Sequence, residues 1–394
     1  MKLVVLGLSI TSSWGNGHAT TYRGLLREFT RRGHEVTFLE RDAPWYAANR
    51  DLPNPVFCAT RLYRSLEQLA RKHERLVAEA DAVILGSYVQ EGVAVGEWIC
   101  SIARGVKAFY DIDTPVTLAK LARHDHEYLA PHLIPRFDLY LSFTGGPTLE
   151  RLERELGAPM ARALYCCADE RLYRPQAAPL RWDLGYLGTY SDDRQPKLER
   201  LLLEPARDLP SRRFVVAGPQ YPEEIVWPSN VGRIEHLAPP AHPGFYAGQR
   251  FTLNITRADM VAAGWSPSVR LFEAASCGVP IISDIWNGLA ELFRPEEEIF
   301  LVESGEEVAR LLRECSEARR SAVAAAARAR VLQSHTARAR AQELETFLLE
   351  AARREPGLRR AGNGLGADRH GIDPRPVRPP RGKARALGAR PAPT

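Results

Sequence analysis

Apolar runs of four to six residues, each followed by an amphipathic stretch, recur along most of this chain. A strand that is apolar along its whole length must be covered on both faces, which a parallel sheet flanked by helices provides. The spacing predicts strands over 2–7, 35–40, 82–86, 106–110, 139–143 and 163–166. Between the first two, Leu25, Leu26 and Phe29 fall at helical spacing and Gly33 closes the helix. Around 169–179 the pattern breaks into a polar, proline-containing connection. It then restarts with strands over 184–187, 213–217, 233–237, 251–255, 279–283 and 299–302. Helices are predicted over 195–203, 268–276 and 305–314, followed by a helix-prone stretch over 317–353. The 394 residues therefore read as an α/β chain of two tandem Rossmann-like, doubly wound domains, 1–170 and 171–352, the second carrying the terminal helices. Ligands of such sheets sit at the carboxyl ends of the strands, here Gly7, Gly86-Ser87, Asp111 and Thr144-Gly145-Gly146.

The formal net charge of +5 is unevenly placed. Residues 353–394 hold eleven Lys and Arg against three Asp and Glu, which leaves 42 basic and 45 acidic residues in 1–352. The Arg-, Pro- and Gly-rich end cannot bury enough apolar surface to fold alone and is expected to be a disordered basic tail, with contact to nucleic acid or anionic lipid as its suggested roles. Binding to nucleic acid would rest on that tail alone. No apolar run approaches the roughly 20 residues of a membrane span. The first strand leads into a loop, Thr11-Ser12-Ser13-Trp14, rather than a cleavage site, so a cytoplasmic protein is expected. Six cysteines form no CxxC pair, and Cys166-Cys167 are expected to be small buried residues. His124 and His126 would not share a helix face, and no metal site is predicted.

The segment from Ser266 to Asp284, SPSVRLFEAASCGVPIISD, is the most informative. Small residues open a helix whose first N–H groups, with Ser268, can receive a phosphate. Arg270 in the first turn can grip diphosphate oxygens, and Glu273 one turn later can accept two hydroxyl hydrogen bonds, as a ribose diol offers. The alternative is a surface ion pair between Arg270 and Glu273 at i, i+3. A second group, Gly188-Thr189-Tyr190-Ser191-Asp192-Asp193-Arg194-Gln195-Pro196-Lys197, joins a strand to a helix. Gly188 permits close backbone approach, and Thr189, Tyr190, Arg194 and Lys197 are candidate diphosphate contacts. Alternatively the two aspartates cap the helix and the basic residues face water. The loop Trp14-Gly15-Asn16-Gly17-His18 also permits close approach, with Gly15, Asn16 and Gly17 near substrate, but it is not GxGxxG, which sets a dinucleotide oxidoreductase aside. Asp111-Ile112-Asp113 lies in the first domain, away from the diphosphate signals. An acceptor-side role or a helix start at Asp113-Thr114-Pro115 is expected rather than a cation site. Trp45-Tyr46 offers either a stacking surface or a core cap.

The Ser266–Asp284 segment resembles the donor-site signature of group 1 glycosyltransferases. Together with YDIDTPVTL at Tyr110–Leu118 and LGTYSDDRQP at Leu187–Pro196, it resembles the branch named after CgeB spore-maturation proteins. The resemblance covers about residues 1–315 and implies the GT-B fold, with a nucleotide-sugar donor held by the second domain and an acceptor by the first. It implies a hexosyltransferase-type enzyme moving a sugar from a UDP-, GDP- or dTDP-linked donor to a hydroxyl of a glycan, lipid, protein or small molecule, without metal or other cofactor. It also implies that Glu273 holds the nucleotide ribose, and that His18 is the base of an inverting reaction, with Asp111 or Asp113 acting as base or orienting it. A loop histidine can equally hydrogen-bond the helix start. One departure stands out: retaining members carry a second Glu eight positions earlier, where this chain has Trp265. A nucleotide-sugar epimerase of the same fold and a non-catalytic nucleotide-binding protein are the alternative readings.

Overall fold

The computed structural model describes residues 1–14 and 17–354. The basic end beyond 354 and the loop residues Gly15 and Asn16 lie outside the described residues. The first sheet contains β1 (Lys2–Gly7), β2 (Glu35–Arg41), β3 (Ala59–Tyr63), β4 (Ala82–Gly86), β5 (Val106–Asp111), β6 (Leu139–Ser142) and β7 (Ala161–Ala163), in the order β3-β2-β1-β4-β5-β6-β7. The second contains β8 (Trp182–Leu187), β9 (Phe214–Ala217), β10 (Val231–Ile234), β11 (Gln249–Asn254), β12 (Ile281–Ser283) and β13 (Phe300–Leu301), in the order β10-β9-β8-β11-β12-β13. All pairings within both sheets are parallel. The two doubly wound sheets expected from the alternation are therefore present, each with its order reversing at its first strand.

β3 escaped the sequence reading because it is a mostly exposed edge strand in which Thr60 and Arg61 interrupt any continuous apolar run. β7 begins two residues before the run at 163–166, because its pairing with β6 starts at Ala161; Leu164 still donates its N–H to Ser142 O at 2.8 Å, and Leu164 and Cys166 pack into the core. The expected helix at 195–203 continues to Asp208 through a wider-wound turn at Glu199–Leu203. Alternation along β1 sends Leu3 and Val5 to one core and Val4 and Leu6 to another, as a strand buried on both faces requires. The core that receives Leu3 and Val5 runs without interruption into the second sheet's helices, and a third core fills that sheet's other face.

The stretch 317–353 is two helices. Ser316 caps the first (Glu317–Ser334) and Thr336 caps the second (Ala337–Arg353), each accepting a hydrogen bond from a backbone N–H three residues on. The break between them pairs with the domain connection: Ala168 N–H donates to His335 O at 3.1 Å, and Ala337 N–H to Ala168 O at 2.9 Å. Chain order had placed both helices with the second domain. Instead the helix Ala337–Arg353 packs on α1 (Gly17–Arg31) of the first. Gly24 makes that approach possible, since a methyl group there would lie 3.2 Å from the Ala337 Cβ. Arg32 Nε donates to Glu345 at 2.6 Å beside it.

Leu344 on this last helix is fully buried in the shared core. Leu344→Ala is expected to lose about 2–5 kcal/mol of stability, read by chemical denaturation, with proteolysis at the end of the chain accelerating first.

Candidate functional site

Strand order reverses beside β1 and β4 in the first sheet and beside β8 and β11 in the second, and loops leaving those strands diverge to leave a crevice. A cavity of about 200 Å³ lies there between the domains. Its first-domain wall is Gly17, His18, Thr21, Ile112, Asp113 and Phe143, and its second-domain wall includes Arg194, Thr256, Arg257, Met260 and Ser268. Residues far apart in sequence thus face one another: of the predicted residues, His18 and Asp113 stand opposite Arg194 and Ser268, 81 to 250 positions away.

Arg194 lines the second-domain wall, and Arg270 lies buried behind it. Arg270, on the helix α4 (Val269–Ser276), is buried, and its guanidinium donates to Leu187 O, to Asn254 Oδ1 at 3.0 Å and to Ser268 Oγ at 3.3 Å. Ser268 is the N-cap of the same helix. Arg194 donates to Thr189 O at 2.6 Å, and its Nε is buried with no partner. Among the described residues every hydrogen bond from these two groups ends on a neutral oxygen. Burial, with Arg270 and Arg257 close by, lowers the Arg194 pKa. A buried cation, Arg270, and a half-buried one, Arg194, beside a helix N-terminus with no anion between them form a site for a multiply charged oxyanion. Gly188 keeps this wall tight: a side chain there would sit 2.6 Å from the Tyr186 hydroxyl and 2.9 Å from Arg270. Gly218, at φ +145°, does the same from β9, where a methyl group would strike Gly188 O.

Other predicted residues are placed differently. Lys197 is bound to the buried Asp284 at 2.5 Å, which also takes the Thr256 hydroxyl at 2.9 Å, so the lysine braces the β11–β12 edge. Asp193 caps no helix beside it but accepts the Ala258 N–H at 2.8 Å, holding the helix α3 (Ala258–Ala263) over the cleft. Thr189 is exposed, and Tyr190 is engaged with Asp192 at 2.7 Å. Arg270 and Glu273 are both buried, which rules out a surface ion pair. Glu273 lies beside Tyr246 at 3.5 Å and Tyr173, outside the cavity lining, and burial pushes its carboxyl up to about 7. Cys166 and Cys167 are buried, Tyr46 is a core residue, and Trp45 is half exposed.

On the first-domain wall the two aspartates part company. Asp111 is fully buried and accepts from the Tyr140 hydroxyl at 2.6 Å, the Thr117 hydroxyl at 2.7 Å and the Asp113 N–H at 3.3 Å. It lies outside the cavity lining, with its oxygens held by hydroxyls and the Asp113 N–H. Asp113 holds the N-cap position of α2 (Thr114–Ala122) without capping it through its side chain. Its Oδ2 accepts from Tyr88 at 3.0 Å and lies 3.8 Å from Arg257 of the other domain, while its buried Oδ1 has no partner. Burial raises its pKa, against the pull of Arg257 and Tyr88. His18 stacks edge-on to Tyr88, their ring centroids 5.4 Å apart, and burial lowers its pKa to about 4, which keeps the imidazole neutral. Tyr88, at φ +63°, therefore joins both candidates and was missed, as were Thr256 and Arg257; none lies in a recognisable motif.

Residues 194–346 match the family described as glycosyl transferase-like. Solved structures align over nearly the whole chain. Anabaena HepE in complex with UDP-glucose is 16% identical, covering 89% of this chain and 100% of its own with a TM-score of 0.65. Sucrose-phosphate synthase of Thermosynechococcus elongatus is 14% identical over 89% and 99%, at 0.64. An alpha-glucosyltransferase in complex with UDP-glucose and DNA containing an abasic site is 11% identical over 88% and 99%, at 0.65. The chain has the GT-B fold. No curated protein matches it. Within GT-B architecture the two walls described above are the facing strand ends of the two domains. No helix among the described residues is long and apolar enough to cross a membrane.

Two outcomes follow from the carboxylates. The folded chain holds Glu273 protonated to about pH 7 while the unfolded chain ionises it near 4.5, so its contribution to stability falls as pH rises through that window. Glu273→Gln should flatten the melting-temperature profile between those pH values relative to wild type. Asp113→Asn keeps the shape but removes the charge, and should raise the melting temperature slightly at neutral pH by relieving a buried anion. If instead stability falls by several degrees, the Arg257 pairing outweighs burial.

Proposed function

We propose that this protein transfers a sugar from a nucleoside diphosphate sugar to an acceptor hydroxyl, with no required metal ion. The observation that carries the reading is Arg194, which faces Asp113 and His18 across the interdomain cavity, with Arg270 buried behind Ser268 of the same wall; among the described residues both are satisfied only by neutral oxygens. The diphosphate would lie against Arg194, Arg270 and the Ser268 end of α4, where fixed cations offset the charge that grows as the sugar–oxygen bond breaks. The acceptor hydroxyl would enter from the first-domain wall. Asp113 Oδ1 is the group without a partner there and takes the hydroxyl proton in this reading, while neutral His18 orients the acceptor. That replaces His18 as the preferred base. Metal independence is supported by the donor set, since Asp111 is enclosed by Tyr140 and Thr117 and cannot bridge a cation with Asp113.

The nucleotide-sugar class follows from the chemistry of the wall, and the UDP-glucose carried by two structural relatives makes UDP and a hexose the first pair to try. The CgeB-like resemblance of the motif segments favours a glycan acceptor. Glu273, enclosed by Tyr173 and Tyr246, would meet the nucleotide ribose only if those tyrosines yield. A non-catalytic nucleotide-binding role is the second reading, favoured by Trp265 at the place of the sugar-facing Glu.

Titration calorimetry with UDP, GDP, dTDP and ADP should show selective binding of one nucleotide. Arg194→Ala should weaken it by about tenfold or more, as loss of a charge-assisted hydrogen bond requires. Release of the nucleoside diphosphate from its sugar conjugate should persist in EDTA and fall in Asp113→Asn. Binding with no release under any acceptor would establish the second reading, and absence of binding would sink both.

A further inference from the structure

We infer that Trp265 is a positioning residue, a wedge that sets the angle between the two domains and thereby the width of the cleft. The ring lies between two glycines from opposite domains. A methyl group on Gly146, at the end of the β6 loop, would fall within the indole, and one on Gly288 would lie 2.5 Å from its Cδ1. Both glycines have positive φ, +56° and +89°, so the backbone at each is shaped to bring it flat against the ring.

The wedge is fixed from both sides by its own backbone. Trp265 O accepts from Gly145 N–H of the first domain at 2.9 Å, and Trp265 N–H donates to Asn287 O of the second at 2.6 Å. The next residue repeats the crossing, with the Ser266 and Thr144 hydroxyls 2.9 Å apart and buried. Pro267 O then accepts the Cys166 thiol at 3.3 Å. Trp265 itself holds φ +42°, a left-handed conformation that a bulky side chain adopts only when its surroundings impose it. Gly264 before it, at φ +65°, turns the chain into that position. Two residues further on, Pro267 and Ser268 line the cavity, and eight residues earlier Arg257 reaches Asp113. A rotation about the wedge therefore moves both the oxyanion wall and the arginine that faces the reactive carboxylate.

The substitution also has a chemical meaning. An indole can bury area and stack, but it cannot accept two sugar hydroxyls as a carboxylate would. At this position the indole makes an interdomain contact. The effect on turnover rests on the sugar-transfer reading; the effect on domain geometry does not.

Small-angle X-ray scattering of full-length wild type, Trp265→Ala, Trp265→Phe and Gly146→Ala, each checked for an unchanged far-ultraviolet spectrum, tests it. Trp265→Ala should give a smaller radius of gyration than wild type as the domains close over the removed ring, Gly146→Ala a larger one, and Trp265→Phe an intermediate or wild-type value. Nucleotide affinity should stay within about threefold, because the oxyanion wall belongs to one domain, while turnover falls by about 100-fold, the scale of an ångström-level misplacement. Scattering of Trp265→Ala that superimposes on wild type would overturn the proposal, and if that variant does not fold, the same result for Gly146→Ala would do so. If wild type binds no nucleotide, the transfer reading fails while the scattering result still decides the wedge.

Discussion

Everything at the cleft depends on two chain crossings that are hydrogen-bonded to each other. The outward crossing passes Ala168 and the return passes His335–Ala337, and the backbone bonds between them tie both connections at one point. Arg340, almost wholly buried, secures the return by donating to Tyr165 O at 3.1 Å and to His335 at 2.6 Å. His335 is stacked on Phe272 with centroids 4.6 Å apart, and burial lowers its pKa to about 3, so it stays a neutral partner for the guanidinium. With both crossings fixed at one edge, the two sheets can only face each other across the opposite one.

The facing edges then differ in chemistry because the strands that end there differ. On the second domain the ends of β8, β9 and β11 converge on Arg270, whose guanidinium takes the place of the missing side chains at Gly188 and lies 4.9 Å from the Tyr186 ring centroid. That arrangement buries a cation without neutralising it. On the first domain the end of β5 separates a carboxylate enclosed by hydroxyls, Asp111, from one left half-satisfied, Asp113. The enclosed one stabilises the turn that holds the other at the cavity. Burying an unpaired charge is costly, and Arg270 carries one behind the cleft with only neutral oxygens as hydrogen-bond partners, while Asp113 opposite already faces Arg257.

The loop contacts between the domains are specific. Arg257 reaches Asp113, Thr144 meets Ser266, and Trp265 stands between Gly146 and Gly288. These lie in short loops rather than in the helices that make up each domain's bulk. The continuous core that joins the last helix to α1 holds the domains together, and the loop contacts govern how they are angled.

The sequence by itself determined the two parallel sheets and most strand positions, because a strand covered on both faces must be apolar throughout and the turns after it must be small or polar. It also determined Arg194, Arg270, Ser268, His18 and Asp113 as polar residues at strand or helix ends, which local spacing suffices to show. Only the tertiary structure decided which of them meet. Asp111 and Asp113 look alike in sequence, but Tyr140 lies 29 residues from Asp111 and its hydroxyl encloses one carboxylate only. Lys197 is drawn to Asp284, 87 residues away, and so leaves the site that its neighbours suggested. Tyr88, Arg257 and Trp265 have no local signal because each acts through a partner from a distant loop. Long-range pairing of that kind is set by how the two sheets are angled, and no periodicity in a chain records an angle between domains.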